Sequence, residues 1–357
     1  MKVVSSPGKY SILALIVLSL AVVSGCSTKK STIITRTYHN VTAHYNGYFN
    51  AREKVKAGAK KLDASTKDNY DRLLKVFKYG DKAAAKSVYP EMDLAIKKAS
   101  VVIDRHSIYI DDKEHCAWID DNFFLIGQAQ FYKQDYWTAI ETLKYVSAEY
   151  QDDPIRYKAL VWLMKAYIEL GKMPDTEYLI DFLRSRKDLE RKVAEEFAAT
   201  TAHYHIQLQE YEKAAEELSK ALAISKKKKN KIRYTYIIAQ LYQELNDYTN
   251  AFTYYNKVLK LNPPYEIAFN AKINRARSFD VNNADGEAVK KELYKMLKDD
   301  KNKDYLGQIY YALAGIAQNE GKEKDAINFY RLSIKNSETN SNQKAISYLE
   351  LADIYFE

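Results

Sequence analysis

The sequence predicts an all-α protein, a solenoid of helix-turn-helix pairs, and three observations carry that expectation. The 357 residues are 46% hydrophobic and include 31 Tyr, yet only 11 Gly and 6 Pro, a balance that favours long helices joined by short turns. The stretch Ile232 to Pro263 reads as two antiparallel helices about an Asn246-Asp247 break. The word Tyr-x-x-Ala then recurs at Tyr136-Ala139, Tyr211-Ala214 and Tyr248-Ala251, as expected if one supersecondary unit is copied along the chain.

Within Ile232 to Pro263, Ala239 and Ala251 are small enough to let two helices approach closely, while Tyr242, Tyr248, Tyr255 and Val258 fill the space around them. This is the packing logic of a tetratricopeptide (TPR) unit, which cannot bury its apolar faces without neighbours. The spacing from Tyr211 to Tyr248 implies a period of about 37 residues, slightly longer than the TPR length of about 34.

In chain order, Lys2 and Lys9 flank a short basic region, and Ile12 to Val23 is an apolar run shorter than the ~20 residues that a comfortable membrane span needs. It ends in Val23-Ser24-Gly25-Cys26, which resembles the lipobox of bacterial lipoproteins. That resemblance implies a signal peptide over 1–25, lipidation of Cys26 and a lipidated tether over 26–34. An ordinary signal peptide with a chance Cys is the plainer alternative. With Cys26 acylated, Cys116 has no intramolecular partner, so the core alone must hold the chain. The tether shows Lys29 and Lys30 where surface-exported lipoproteins of the Bacteroidota carry acidic residues, which points to the periplasmic face of the outer membrane. The net charge of +8 is dispersed and comes with no nucleic-acid motif.

Residues 35–115 read as an N-terminal helical segment. Tyr38, Val41, Tyr45, Tyr48 and Phe49 recur at helical spacing, predicting one helix to about Leu62, a second over Tyr70 to Tyr79 and a third from about Asp93 to Ile103. The words CSTKKSTIITRTYHNVTAHYNGYFNAREKV, INRARSFD and DDKNKDYLGQIYYALAGIA make the chain from Cys26 onward resemble the PorW/SprE lipoproteins of the type IX secretion and gliding apparatus of Bacteroidota. The resemblance implies a scaffold whose partners are the periplasmic ring protein PorN/GldN and the SprA/Sov translocon. Two other readings stay open: a SusD-like glycan-binding lipoprotein and a general outer-membrane assembly factor. Against the glycan binder, Trp118, Trp137 and Trp162 all fall in repeat-like helices, where core packing accounts for them. His106, Asp111, Asp112, Glu114, His115 and Cys116 crowd together, but their spacing fits no standard metal template, so a polar loop and no metal site is the expectation. His203 and His205 are expected to serve packing or the groove.

The repeat superhelix is expected over 116–357, with six helix pairs from about Asp120 to Lys335. A degenerate pair carries Leu163, Tyr167 and Gly171, with Thr176 in the small position. Another has Ala276, Phe279 and Ala288, and another Ala314, Gly321, Ala326 and Tyr330. From Gln343, Tyr348, Leu351, Ala352 and Tyr355 match a seventh first helix before the sequence stops at Glu357, which predicts a fragment of a longer repeat protein.

In a TPR array, certain positions of each first helix line the concave groove. Here they are Arg233, Tyr236 and Gln240 in one unit, Asn270, Ile273 and Arg277 in the next, and Gln308, Tyr311 and Gln318 beyond. Amides that pair with main chain, Tyr that supplies contact area and Arg that captures carboxylates suit a protein segment. The Lys226 to Lys229 run reads as a solvated inter-repeat loop, with anionic lipid or an acidic partner as the alternative. No phosphate loop, nucleophile elbow or zincin word is present, so no enzyme activity and no cofactor are expected.

Overall fold

The computed structural model describes residues 27–279 and 286–356. The expected signal peptide over 1–25 and the expected lipidation at Cys26 lie outside the described residues. Among those described, no helix is long and apolar enough to cross a membrane. The chain forms two compact units that are not contiguous in sequence. The first takes residues up to 67 together with 77–193, and the second takes 68–76 together with 194 onward.

In the first unit, α1 (Ile33–Thr42) opens on a capping box in which Thr32 and Thr35 satisfy each other's backbone N–H groups. It continues through a π-helical turn, Ala43–Tyr48, into α2 (Phe49–Ser65), so the predicted first helix is one run with an irregular waist. Gly47 lies in that waist, where a Cβ would stand 1.9 Å from a Val102 methyl, and its absence lets the neighbouring helix close in. No helix forms over Tyr70 to Tyr79. Instead come the short α3 (Lys82–Lys86) and α4 (Tyr89–His106), the latter beginning earlier than expected. Tyr48, Ala51, Val55 and Leu62 bury against Val88, Met92, Ala95 and Ala99.

The segment that crowds potential metal ligands folds as a hairpin, β1 (Tyr109–Ile110) against β2 (Lys113–Glu114). Asp111 and Asp112 both take positive φ in its two-residue turn. The Glu114 carboxylate accepts from Ser107 Oγ, Ile108 N and Cys116 N, so its lone pairs tie the hairpin together. Burial pushes the Cys116 thiol up to about 11. No group of three or more His, Cys, Asp or Glu able to hold a metal occurs among the described residues.

The pairs then follow in sequence: α5 (Ile119–Tyr132) with α6 (Tyr136–Glu149), α7 (Ile155–Glu169) with α8 (Met173–Arg184), and α9 (Arg191–Gln207) with α10 (Tyr211–Ile224). Next come α11 (Lys228–Glu244) with α12 (Tyr248–Lys260), α13 (Tyr265–Arg277) with α14 (Gly286–Leu297), and α15 (Leu306–Asn319) with α16 (Glu323–Lys335), and then α17 (Ser341–Phe356). The three Tyr-x-x-Ala words open α6, α10 and α12, and Ala139, Ala214 and Ala251 are fully buried. Thr176 takes the same place in α8, fully buried, and keeps its hydroxyl satisfied by donating to the Lys172 carbonyl. In α14 the expectation fails: Ala288 is exposed, and Val289, Leu293 and Met296 carry the buried face.

Five of the pairs share one turn. Gln134, Gly171, Gln209, Asn246 and Gly321 each adopt a positive φ between 57° and 71°. The next residue's N–H reaches back to the carbonyl five residues before it, as in Asp135 to Gln130, Lys172 to Tyr167 and Asp247 to Tyr242. This is the Schellman closure, which satisfies carbonyls at the helix end and reverses the chain within two residues.

Candidate partner-binding groove

In the second unit the second helix of a pair sends a buried Tyr back into the first helix. Tyr255 packs edge-on against Tyr236 with ring centroids 5.4 Å apart and donates its hydroxyl to Gln243 Oε1 at 2.5 Å. Two repeats later Tyr330 meets Tyr311 at 5.5 Å and donates to Gln318 Oε1 at 2.8 Å. These locks fix the first helices α11 and α15, and with them the side chains on their open side.

That side is occupied by the chain itself. Asp68 to Val76, which overlaps the Tyr70 to Tyr79 stretch where a helix was expected, instead forms a loop held on α11 and touched by Asn342 of α17. Its neck closes on Arg233, whose guanidinium makes a two-pronged pair with the Asp68 carboxylate at 2.9 and 3.0 Å. The same guanidinium donates through Nε to the Lys75 and Val76 carbonyls at 3.0 and 3.2 Å. Gln240 reads the main chain from both sides: its Nε2 donates to the Arg72 carbonyl at 2.7 Å, and its Oε1 accepts the Leu74 N–H at 3.0 Å. The Arg72 carbonyl and the Leu74 N–H, which an intrahelical ladder would use, bond to Gln240 instead. Asn69 turns the tip by accepting from Asp71 N, and Asn342 of α17 reaches the Asp71 carboxylate at 3.4 Å. Leu74 and Val76 are 5% and 2% exposed.

Tyr70 stands edge-on to the Tyr236 ring at 5.5 Å. Burial, followed by the Glu266 and Asp68 charges, holds its phenol well above the ordinary tyrosine range. Tyr236 itself is buried, and its hydroxyl accepts from Asn274 Nδ2 at 2.8 Å.

Two hollows flank the loop. The smaller, about 250 Å³, lies between Asp68–Asp71 and a wall that includes Asn270, Tyr305 and Gln308. The larger, about 520 Å³, lies beyond the tip and is lined by Gln240, Asn274, Arg277, Tyr311 and Gln318 among others. Arg277 sits 5.4 Å over the Tyr311 ring, and the Tyr311 hydroxyl donates to Glu350 of α17 at 2.8 Å.

Of the nine groove positions expected from sequence, Arg233, Tyr236 and Gln240 grip the loop, Asn270 and Gln308 line one hollow, and Arg277, Tyr311 and Gln318 line the other. Ile273 does not belong. It packs in a core cluster with Phe269, Ala276 and Leu313, because one helical position away from the groove face already points inward. Sequence reasoning missed Asn274 and Gln243, and it missed the loop altogether. The remaining expectations fall as follows. His203 and His205 are buried, with His205 Nδ1 2.6 Å from Glu210 Oε2. Trp162 is buried and Trp118 stacks on His44 at 3.8 Å, but Trp137 is 61% exposed beneath Lys172, so core packing accounts for two of the three tryptophans.

A tetratricopeptide-repeat family model matches residues 232–265 and 307–340, the two stretches that contain the Tyr–Tyr–Gln locks. No curated protein matches the chain. Similar solved structures include a tetratricopeptide repeat protein from Parabacteroides merdae, 13% identical, covering 87% of this chain and 100% of its own, at a TM-score of 0.36. The apo form of the quorum sensor NprR from B. thuringiensis is 12% identical, covers 85% of this chain and 87% of its own, and superposes at 0.46. The apo form of RapI is 14% identical over 86% and 87%, at 0.44. The matched repeats, the succession of helix pairs and their shared turns establish an all-α protein with the tetratricopeptide-repeat solenoid fold.

Proposed function

We propose that the protein is an outer-membrane-anchored scaffold on the periplasmic side that links components of the type IX secretion and gliding machinery. The observation that carries a scaffolding role is the groove of the second unit, where Arg233 and Gln240 hold a stretch of polypeptide by its main chain and one carboxylate. Side chains arranged to grip main chain suit a protein ligand better than a small molecule. The choice of machine and compartment rests on the resemblance of TAHYNGYFNA and the later words to PorW/SprE, and on the lipobox ending at Cys26. It names PorN/GldN and SprA/Sov as partners.

A photo-crosslinking residue at Asn270 or Gln308, introduced in cells, is expected to capture one of those partners. A clean deletion is expected to stop secretion of cargo bearing the C-terminal signal. Normal secretion and gliding in the deletion strain would overturn the assignment. Cys26→Ser is expected to release the protein from the outer membrane, and continued membrane partition with palmitate labelling would overturn the anchor.

A further inference from the structure

We propose that the loop 68–76 is a built-in stand-in for the partner: it plugs the groove between encounters and is exchanged for a partner segment of the same chemistry, an acidic residue and a Tyr on one turn. The inference rests on the reading that this groove is the partner-binding surface.

Three observations point to exchange rather than to a permanent structural loop. First, most of the grip is on main chain. Gln240 pairs with the Arg72 carbonyl and the Leu74 N–H, and Arg233 donates to two further carbonyls, bonds that any incoming segment can supply. Second, the side-chain part of the grip is narrow and chemically defined, a carboxylate on the Arg233 fork and an aromatic edge on Tyr236. That sets the partner class as a turn carrying Asp or Glu and, two residues on, Tyr. Third, the plug leaves the groove under-filled. The 520 Å³ hollow beyond its tip remains open, with Glu244, Arg277 and Glu350 among the polar side chains at its wall. A partner segment that continues past the tip would enter this polar hollow and gain contacts the plug does not make. Competition by a weaker, tethered copy raises the threshold for binding, because a tethered ligand acts at high effective concentration.

The test uses the full chain and a labelled synthetic peptide of the plug's own sequence, KDNYDRLLKVF. Asp68→Ala/Leu74→Ser, which loosens the plug and leaves the socket intact, is expected to bind the peptide at least tenfold more tightly than the unaltered chain. Adding Arg233→Ala/Gln240→Ala to that variant is expected to abolish binding. Since loosening the plug could also disturb folding, a second variant holds it down. Asp71→Cys/Asn342→Cys, bridged by a short bis-maleimide, is expected to lose peptide binding and regain it when the bridge is omitted. Equal peptide affinity in the loosened and unaltered chains, or binding that survives loss of Arg233 and Gln240, overturns the proposal. The crosslinks from Asn270 and Gln308 separate the two readings. Partner capture that is the same whether the plug is loose or bridged overturns the plug and leaves the scaffold standing, whereas no capture in either state overturns the scaffold itself.

Discussion

Asp120 sits in the first turn of α5, 8% exposed, with one carboxylate oxygen that has no hydrogen-bond partner. Burial, reinforced by the neighbouring Asp121 charge, pushes its carboxyl up to about 7 from an ordinary 3.8. A carboxylate with a raised folded-state value binds its proton more tightly in the native than in the unfolded chain. Its contribution to stability is therefore greatest below pH 4 and falls as pH rises to 7, by about 4 kcal/mol over that window. Asp120→Asn is expected to flatten this slope and raise the melting temperature at pH 8, read as the difference between variant and unaltered chain in thermal scans from pH 4 to 8. In the groove, Gln240→Ala deprives the Leu74 N–H of its acceptor, and the expected outcome is a 10- to 100-fold faster hydrogen exchange at that amide, about 1–3 kcal/mol of local protection lost. At this scale the sequence was legible where a side chain's role follows from its place in the repeat. Arg233 and Gln240 occupy groove positions and bind polypeptide there. Asn274 was not legible, because its job is to donate to a Tyr hydroxyl 38 residues away, and that depends on how two helices cross.

Along single elements, the repeated Schellman turn allows a matched test. Gly171 has φ +71° and open space where a Cβ would sit, so only the backbone conformation penalises a side chain there. Gly171→Ala is expected to lower stability by about 1 kcal/mol. Gln209 holds the equivalent conformation at φ +58° without being glycine, and Gln209→Gly is expected to gain about 0.5 kcal/mol once glycine's larger unfolded-state entropy is subtracted. Urea titrations of both variants check the signs. The helices that begin at Tyr136, Tyr211 and Tyr248 could be placed to the residue because the repeat supplies both periodicity and turn. The segment 70–79 could not. Its local pattern of Tyr70, Leu73, Leu74 and Phe77 is that of an amphipathic helix, and contacts with Gln240 and Arg233, more than 150 residues later, override it. Ala288 misled because the buried face of α14 is carried by Val289, Leu293 and Met296.

For the whole molecule, the fold class and the succession of six pairs were open to reading because most pairs repeat the same local instructions, five of them the same turn. The division into units was not, since the second unit borrows nine residues that precede it by more than a hundred positions. No periodicity marks a borrowed segment; its place is set by contacts with residues far along the chain, among them Arg233, Tyr236, Gln240 and Asn342.

That borrowing also orders events in time. The Leu74 N–H and its acceptor are 166 residues apart in sequence, and Asp71 and Asn342 are 271 apart. At a synthesis rate of about 5–20 residues per second, the loop emerges roughly 15–55 s before its seat is finished. Contacts this distant pay their closure entropy before they return anything, so they form late. The helices of the matched repeats can zip up locally while Leu73 and Leu74 wait in solvent. Pulse-labelled exchange during refolding is expected to show the Ile238 amide protected before that of Leu74, making the seating of this loop the last step in the maturation of the second unit.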